Sequence, residues 1–174
     1  MNILSLDLST KSTGWAISTD SNLIAHGTIT AGSSNVFNRI DKMKEEVEKV
    51  VVQYQVKDCA IEDVIPEDVR FNNNVFKPLM YLQGDICNML DKHSVKWTFY
   101  VASEWRKKCG IKTGRGIKRD SLKPQDKMFV KKMYGIDVND DEADAICINY
   151  AHTHEPIPVS ELEIIVTEDG FEFE

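Results

Sequence analysis

Residues 2–9, NILSLDLS, alternate apolar with small or polar side chains at the period of a β-strand, which puts Leu4, Leu6 and Leu8 on one face and Ile3, Ser5, Asp7 and Ser9 on the other. A strand this apolar belongs in the interior of a sheet, where a lone charge is costly to bury. Asp7 therefore constrains the whole chain, because the fold must bring compensating charge to the end of its first strand.

The rest of the chain reads as alternating elements. GWAISTD and NLIAHGTIT are strands around a turn at Asp20 to Asn22, so residues 1–30 form a β-meander. Phe37, Ile40, Met43, Val47, Val50, Val51 and Tyr54 recur at helical spacing between Asn35 and Gln55. DCAIEDVI is a short buried strand interrupted by Glu62, as the first is by Asp7. After the polar RFNNN, the run VFKPLMYLQGDICNMLDKH is a helix with Pro78 in its first turns, and VKWTFYVAS is a strand. Ser103 is the expected cap of a short helix EWRKKCG, Gly110 to Asp120 a basic loop, and the next helix is expected to start near Pro124. NDDEADAICINYAH is a helix with Asn139 as N-cap and Glu142 at N3. Together these predict an α/β fold, a mixed sheet flanked by helices.

At 174 residues the chain suits one domain that buries roughly 70% of its unfolded surface. The expected division is a domain over residues 1–154 and an acidic C-terminal extension, 155–174, where Asp169-Gly170 between β-rich runs signals a hairpin. No apolar run approaches the roughly 20 residues of a membrane span, and MNILSLDLST lacks the basic flank and cleavage site of a leader, so a cytoplasmic location and no membrane partner are expected. Cys59, Cys87, Cys109 and Cys147 contain no CxxC pair and read as free thiols.

Net charge is −7, which ordinarily argues against a nucleic-acid partner, but the average conceals two opposed segments. Residues 103–132 hold eleven Lys and Arg against three acids, whereas residues 155–174 hold seven acids and no Lys or Arg. A +8 segment supports salt-dependent phosphate binding despite the acidic total. Its expected DNA contacts are Arg106, Lys107, Lys108, Lys112, Arg115, Lys118, Arg119 and Lys123.

The acids in unexpected places form a set: Asp7, Glu62, and Asp141 with Asp144 at the start of the last helix. Residues three apart on a helix share a face, so Asp141 and Asp144 can point at one place. Taken singly, first-turn acids complement the helix dipole, Asp7 can be a turn former and Glu62 a surface residue at a strand end. Taken together, four carboxylates repel one another unless a cation sits among them, and hard oxygen donors favour Mg2+ or Mn2+. Two such ions about 4 Å apart activate water and stabilise the leaving oxygen in attack on a phosphodiester.

SLDLSTKSTGWAI, CAIEDV and DDEADAICINYAH, in that order, resemble the RuvC family of Holliday junction resolvases in the ribonuclease H-like superfamily. The resemblance implies a five-stranded sheet of order 3-2-1-4-5, with Asp7, Glu62, Asp141 and Asp144 as ligands of two Mg2+ ions, Mn2+ substituting. It also implies a homodimer that places two active sites across branched DNA, with no small-molecule substrate, and hydrolysis leaving 5′-phosphate and 3′-hydroxyl ends. PQDKMFVKKM resembles the family's basic helix, which makes Lys127 the match to a lysine near the scissile phosphate, with Lys123, Lys118 and Arg119 as further candidates. Ile65 stands where the family often has a base-stacking aromatic; Phe71 is the candidate for that part, or else an anchor for RFNNN. A compact chain with a divergent loop and an acidic tail suits a phage member.

Other readings stay open at this point. One is a ribonuclease H-like nuclease acting on flaps, RNA or RNA:DNA hybrids, and another a non-catalytic nucleic-acid binder. DLSTKSTG also resembles the phosphate loop of actin-like ATPases, but Leu8 stands where that loop wants Gly, and 174 residues leave room for one domain rather than two.

Overall fold

Asp20 and Ser21 both take left-handed backbone, with φ of 49° and 66°, which closes a two-residue hairpin between Thr19 and Asn22. That turn folds the N-terminal strands onto one another in a computed structural model that describes residues 1–64, 73–113 and 119–157. β1 (Asn2–Asp7), β2 (Ser12–Thr19) and β3 (Asn22–Thr30) are followed by α1 (Val36–Gln53), β4 (Asp58–Glu62), α2 (Asn73–Lys92) and β5 (Lys96–Tyr100). α3 (Ala102–Lys108), α4 (Arg119–Tyr134) and α5 (Asp140–Thr153) complete the set. The sheet runs β3-β2-β1-β4-β5, antiparallel across β3, β2 and β1 and parallel across β1, β4 and β5. This is the strand order the resemblance implies.

Each face of β1 meets different chemistry. Leu4 and Leu6 are fully buried with Met43 and Val47 of α1 and Leu82, Ile86 and Leu90 of α2. The opposite face carries small residues, so α5 lies close against it: Ser5 Oγ donates to the Ala145 carbonyl at 2.7 Å, and Ala16 and Ala60 pack with Ala143 and Cys147. Because α3 and α4 cover its outer side, α5 is buried at every position from Ala143 to Ala151, which explains its almost continuous apolar run.

Two helix starts differ from expectation. Ser103 does not cap α3; the helix begins at Ala102, with Val101 as the cap residue and its N–H donating to Glu104 Oε2 at 3.2 Å. The side chain that closes this end comes from inside the helix, so no hydroxyl is needed at its boundary. α4 begins at Arg119 rather than near Pro124, which lies inside it. A proline this close to the N-terminus removes only one intrahelical bond, and the helix tolerates it. Among the described residues no helix is long and apolar enough to cross a membrane. The expected hairpin around Asp169-Gly170 lies outside the described residues.

Gly14, paired with Asp7 across β1 and β2, marks a very close approach of helix to sheet. A Cβ built on it would stand 1.8 Å from the Asp141 carbonyl oxygen, with backbone on both sides. Gly14→Ala must push α5 off the sheet; we expect a loss of about 3 kcal/mol in urea unfolding, and a wild-type midpoint would contradict this packing.

Candidate active site

β1 and β4 are parallel neighbours that end side by side at Asp7 and Glu62, one position beyond the registered pair Leu6 and Ile61. The Glu62 carboxyl is near enough to raise the pKa of Asp7. α5 supplies the other acids from an end that is capped twice over. The Asn139 side chain accepts from the Glu142 N–H at 2.9 Å, and the Glu142 carboxylate accepts from the Asn139 N–H at 3.1 Å. Both residues are tied to β3, Asn139 donating to Thr28 Oγ1 at 2.9 Å and Glu142 lying 3.1 Å from His26 Nδ1. With the helix end fixed, Asp141 and Asp144 share the face turned toward Asp7. Ser12, the first residue of β2, donates to Asp141 Oδ2.

Charge is concentrated here. Burial, then the like charges of Glu62 and Asp141, push the Asp7 carboxyl well above the ordinary range, with Lys123 pulling the other way. Burial and the neighbouring Asp7 and Asp126 push Asp144 up to about 9. Asp144 Oδ1 is buried and has no hydrogen-bond partner among the described residues. Among those residues no three acidic, histidine or cysteine side chains are closed onto one point at metal-binding distance. The donor set nevertheless fits a hard divalent cation: all four groups are carboxylates, two are held against their ionisation, and one presents a buried oxygen that accepts no hydrogen bond from the described residues.

The family described as crossover junction endodeoxyribonuclease RuvC matches residues 3–154. The chain belongs to the RuvC family. A RuvC from Rickettsia prowazekii (strain Madrid E) is 29% identical over 158 residues, covering 86% of this chain and 95% of its own. That of Rickettsia felis is 27% identical over 156 residues, covering 86% and 96%. Among solved structures, Thermus thermophilus RuvC in complex with a Holliday junction substrate superposes with a TM-score of 0.71 at 13% identity, covering 90% of this chain and 99% of that one. The RuvC fold is ribonuclease H-like, and the mixed sheet with helices on both faces has that architecture.

Within this RuvC fold the expected cations separate into three groups. Arg106 turns inward, contrary to the expectation of a DNA contact, and its side chain is 11% exposed. Its guanidinium forks onto the fully buried Asp126 of α4, Nε at 3.2 Å from both oxygens and Nη2 at 2.9 Å from Oδ2. It also lies 4.0 Å over the Trp105 ring and 3.6 Å from Asp144 Oδ1. A buried carboxylate needs such a partner, so this cation belongs to the junction of α3, α4 and α5. Lys108 reaches the Ala151 carbonyl at 2.9 Å, near the far end of α5 from the carboxylates.

Lys107 and Lys112 are exposed, and Lys123 and Lys127 stand at the mouth of the site. Both of the latter pair with Asp140, Lys127 at 2.7 Å and Lys123 at 3.2 Å. For Lys123, partial burial lowers the ammonium pKa, but the Asp140 hydrogen bond and the charges of Asp140, Asp144 and Asp141 reverse this and raise it. Phe71, Arg115, Lys118 and the Arg119 side chain lie outside the described residues, as does Ile65.

Sequence reasoning missed Ser12, Gly14, Asp126 and Asp140. Asp126 carried one signal, as an acid inside an otherwise basic helix, but nothing in its spacing tells a buried partner from a solvated one.

Two outcomes follow from this electrostatic arrangement. Arg106→Gln leaves Asp126 buried and unpaired and should lose roughly 3 kcal/mol or more in denaturant unfolding, whereas the exposed Lys107→Ala should stay within about 0.5 kcal/mol. The raised carboxyls of Asp7 and Asp144 contribute stability that is present below the unfolded carboxylate pKa of roughly 4 and lost as pH rises through the folded values. In chelator, the melting temperature should therefore fall between pH 5 and pH 9 by several degrees, and Asp144→Asn should flatten that fall. Melting curves across this range check the sign; a rise with pH would refute it.

Proposed function

We propose that this chain is a Mg2+-dependent, structure-selective endonuclease that resolves Holliday junctions. What supports the reading is that Asp7 and Glu62 end adjacent parallel strands and that Asp7 is coupled electrostatically to Glu62, Asp141 and Asp144, beside Lys123 and Lys127, in a RuvC-family chain. Relatives bear the name crossover junction endodeoxyribonuclease, and a solved neighbour is bound to a Holliday junction substrate.

The four carboxylates are the residues that would hold the metal, which when bound supplies activation of the attacking water and charge stabilisation at the phosphate. Everything else is the work of protein groups. Ser12 fixes the rotamer of Asp141, and the capping box with its ties to Thr28 and His26 holds Asp141 and Asp144 in place. Lys123 and Lys127 offer positive charge where a phosphodiester would approach the acids, attracting the backbone and countering negative charge that grows as the phosphate is attacked. Exposed Lys107 and Lys112 extend this surface along the DNA. Lys127 retains the role of phosphate contact, with Lys123 the one of the pair that interacts electrostatically with Asp7, Asp141 and Asp144.

Cutting symmetric strands of a junction requires two sites, hence a homodimer. An exposed apolar patch supports a second copy as partner: Phe37 of α1 is 59% exposed and Tyr81 of α2 53%, their rings stacked at 6.1 Å, beside exposed Val75 and Met80.

Asp7→Asn should lower cleavage of a synthetic four-way junction by more than about 100-fold while leaving junction binding close to wild type. Cleavage at the wild-type rate in this variant would defeat the assignment. A panel of four-way junction, three-way junction, flap, RNA:DNA hybrid and duplex, with Mg2+ and with chelator, tests selectivity: preferential metal-dependent cutting of the four-way junction is expected, and equal cutting of plain duplex would refute it.

A further inference from the structure

Asp140 is the first residue of α5, adjacent to Asp141, and its side chain does something the capping box does not require. Asn139 and Glu142 already close the helix end. Asp140 turns outward, 38% exposed, and gives one carboxylate oxygen to each of two ammonium groups: Oδ1 to Lys127 at 2.7 Å and Oδ2 to Lys123 at 3.2 Å. The lysines are four apart on α4 and so share one face. Two oxygens of one anion, each on its own lysine, is also the pattern that the two non-bridging oxygens of a phosphodiester would present.

Position matters as much as pattern. Both lysines are held by Asp140, the neighbour of Asp141, and Lys123 also interacts electrostatically with Asp141 and Asp144, so the pair stands beside the carboxylate site. A phosphate drawn to that site meets lysines already occupied. Exposed ion pairs are weak and exchange readily, so an incoming phosphate can replace the carboxylate.

We propose that Asp140 is a built-in stand-in for a DNA phosphate, holding Lys123 and Lys127 extended toward the site and yielding them only to DNA that docks well enough to displace it. The proposal rests on the nuclease reading above. Its consequence is that Asp140 weakens binding to DNA in general and reduces the salt dependence that the basic segment would otherwise give.

The test uses the full chain and a fluorescent synthetic four-way junction, with binding measured in Ca2+ over a series of salt concentrations. Asp140→Ala and Asp140→Asn should each bind at least about threefold tighter than wild type, with the slope of log affinity against log salt steeper by about 1 to 2. In a Lys123→Gln/Lys127→Gln background, Asp140→Ala should bring no gain. Unchanged affinity and slope, weaker binding, or the full gain without the lysines would each overturn the proposal. Should the alanine variant fail to fold, the asparagine variant, which keeps the shape and removes the charge, decides alone. Wild-type binding in this series, with cleavage of the same junction in Mg2+, judges the nuclease reading separately: a wild-type chain that neither binds nor cuts the junction overturns both, whereas a wild-type nuclease with an indifferent Asp140 overturns only this one.

Discussion

The first turn of α5 lies so close to the sheet that only hydrogen fits between Gly14 and the Asp141 carbonyl. The carboxylate site depends on that approach. Aspartate side chains are short, and Gly14 stands opposite Asp7, so lifting the helix would carry Asp141 and Asp144 away from the strand end that they must face. The whole interface is thin for the same reason. Ser5, Ala16 and Ala60 offer little bulk to α5, and Ser5 uses its hydroxyl to hold the Ala145 carbonyl. What seemed at first an apolar strand spoiled by serine and aspartate is a strand with two purposes, one face built for leucine packing and the other for close contact with a helix.

Gathering four acids creates a surplus of negative charge, and the fold meets it with two kinds of cation. Arg106 is buried and planar, and its fork matches both oxygens of Asp126 while the guanidinium stacks over Trp105. Such a group is fixed in place and steadies the helices behind Asp144. Lys123 and Lys127 are flexible point charges at the surface, held by an exposed carboxylate. Their pairing is exchangeable. A lysine in the position of Arg106 could not satisfy Asp126 in the same way, and an arginine locked as Arg106 is could not reach for a phosphate.

Much of this was legible from residue order. Strand period located the sheet and the Asn139–Glu142 capping signature located the last helix, because each is a local pattern with one physical meaning, while the recurrence of carboxylates in apolar runs singled out four acids that the fold couples electrostatically. What could not be read is what tertiary packing decides. Arg106 looks like its neighbours Lys107 and Lys108 in sequence, and only the placement of Asp126 twenty residues later turns it inward. Gly14 reads as a small residue in a strand until a helix backbone is laid across it. Pro124 suggested a helix start because proline favours that place, yet α4 runs through it from Arg119. For Arg106 and Gly14 a long-range contact decides what the local pattern leaves open, whereas α4 passes Pro124 because a proline this near a helix start removes only one backbone bond.

The total charge of −7 misleads for a related reason. Electrostatic influence through solvent fades over a Debye length of about 8 Å at physiological ionic strength, so a DNA backbone responds to the surface it touches rather than to the chain's sum. The sheet keeps the two surfaces apart. α1, whose Asp41, Glu45, Glu46 and Glu48 are matched in number by Arg39, Lys42, Lys44 and Lys49, covers the leucine face, and the net excess of acids comes from residues 155–174. α3, α4 and α5 cover the other, where Lys123 and Lys127 lie beside the carboxylates. With each layer adding roughly 10 Å, the acids of α1 lie beyond screening distance of a phosphate at Lys123. Affinity for a polyanion is then set by the few ion pairs within reach of it, which is why one carboxylate at the head of α5 can count for more than the acidic excess of the whole chain.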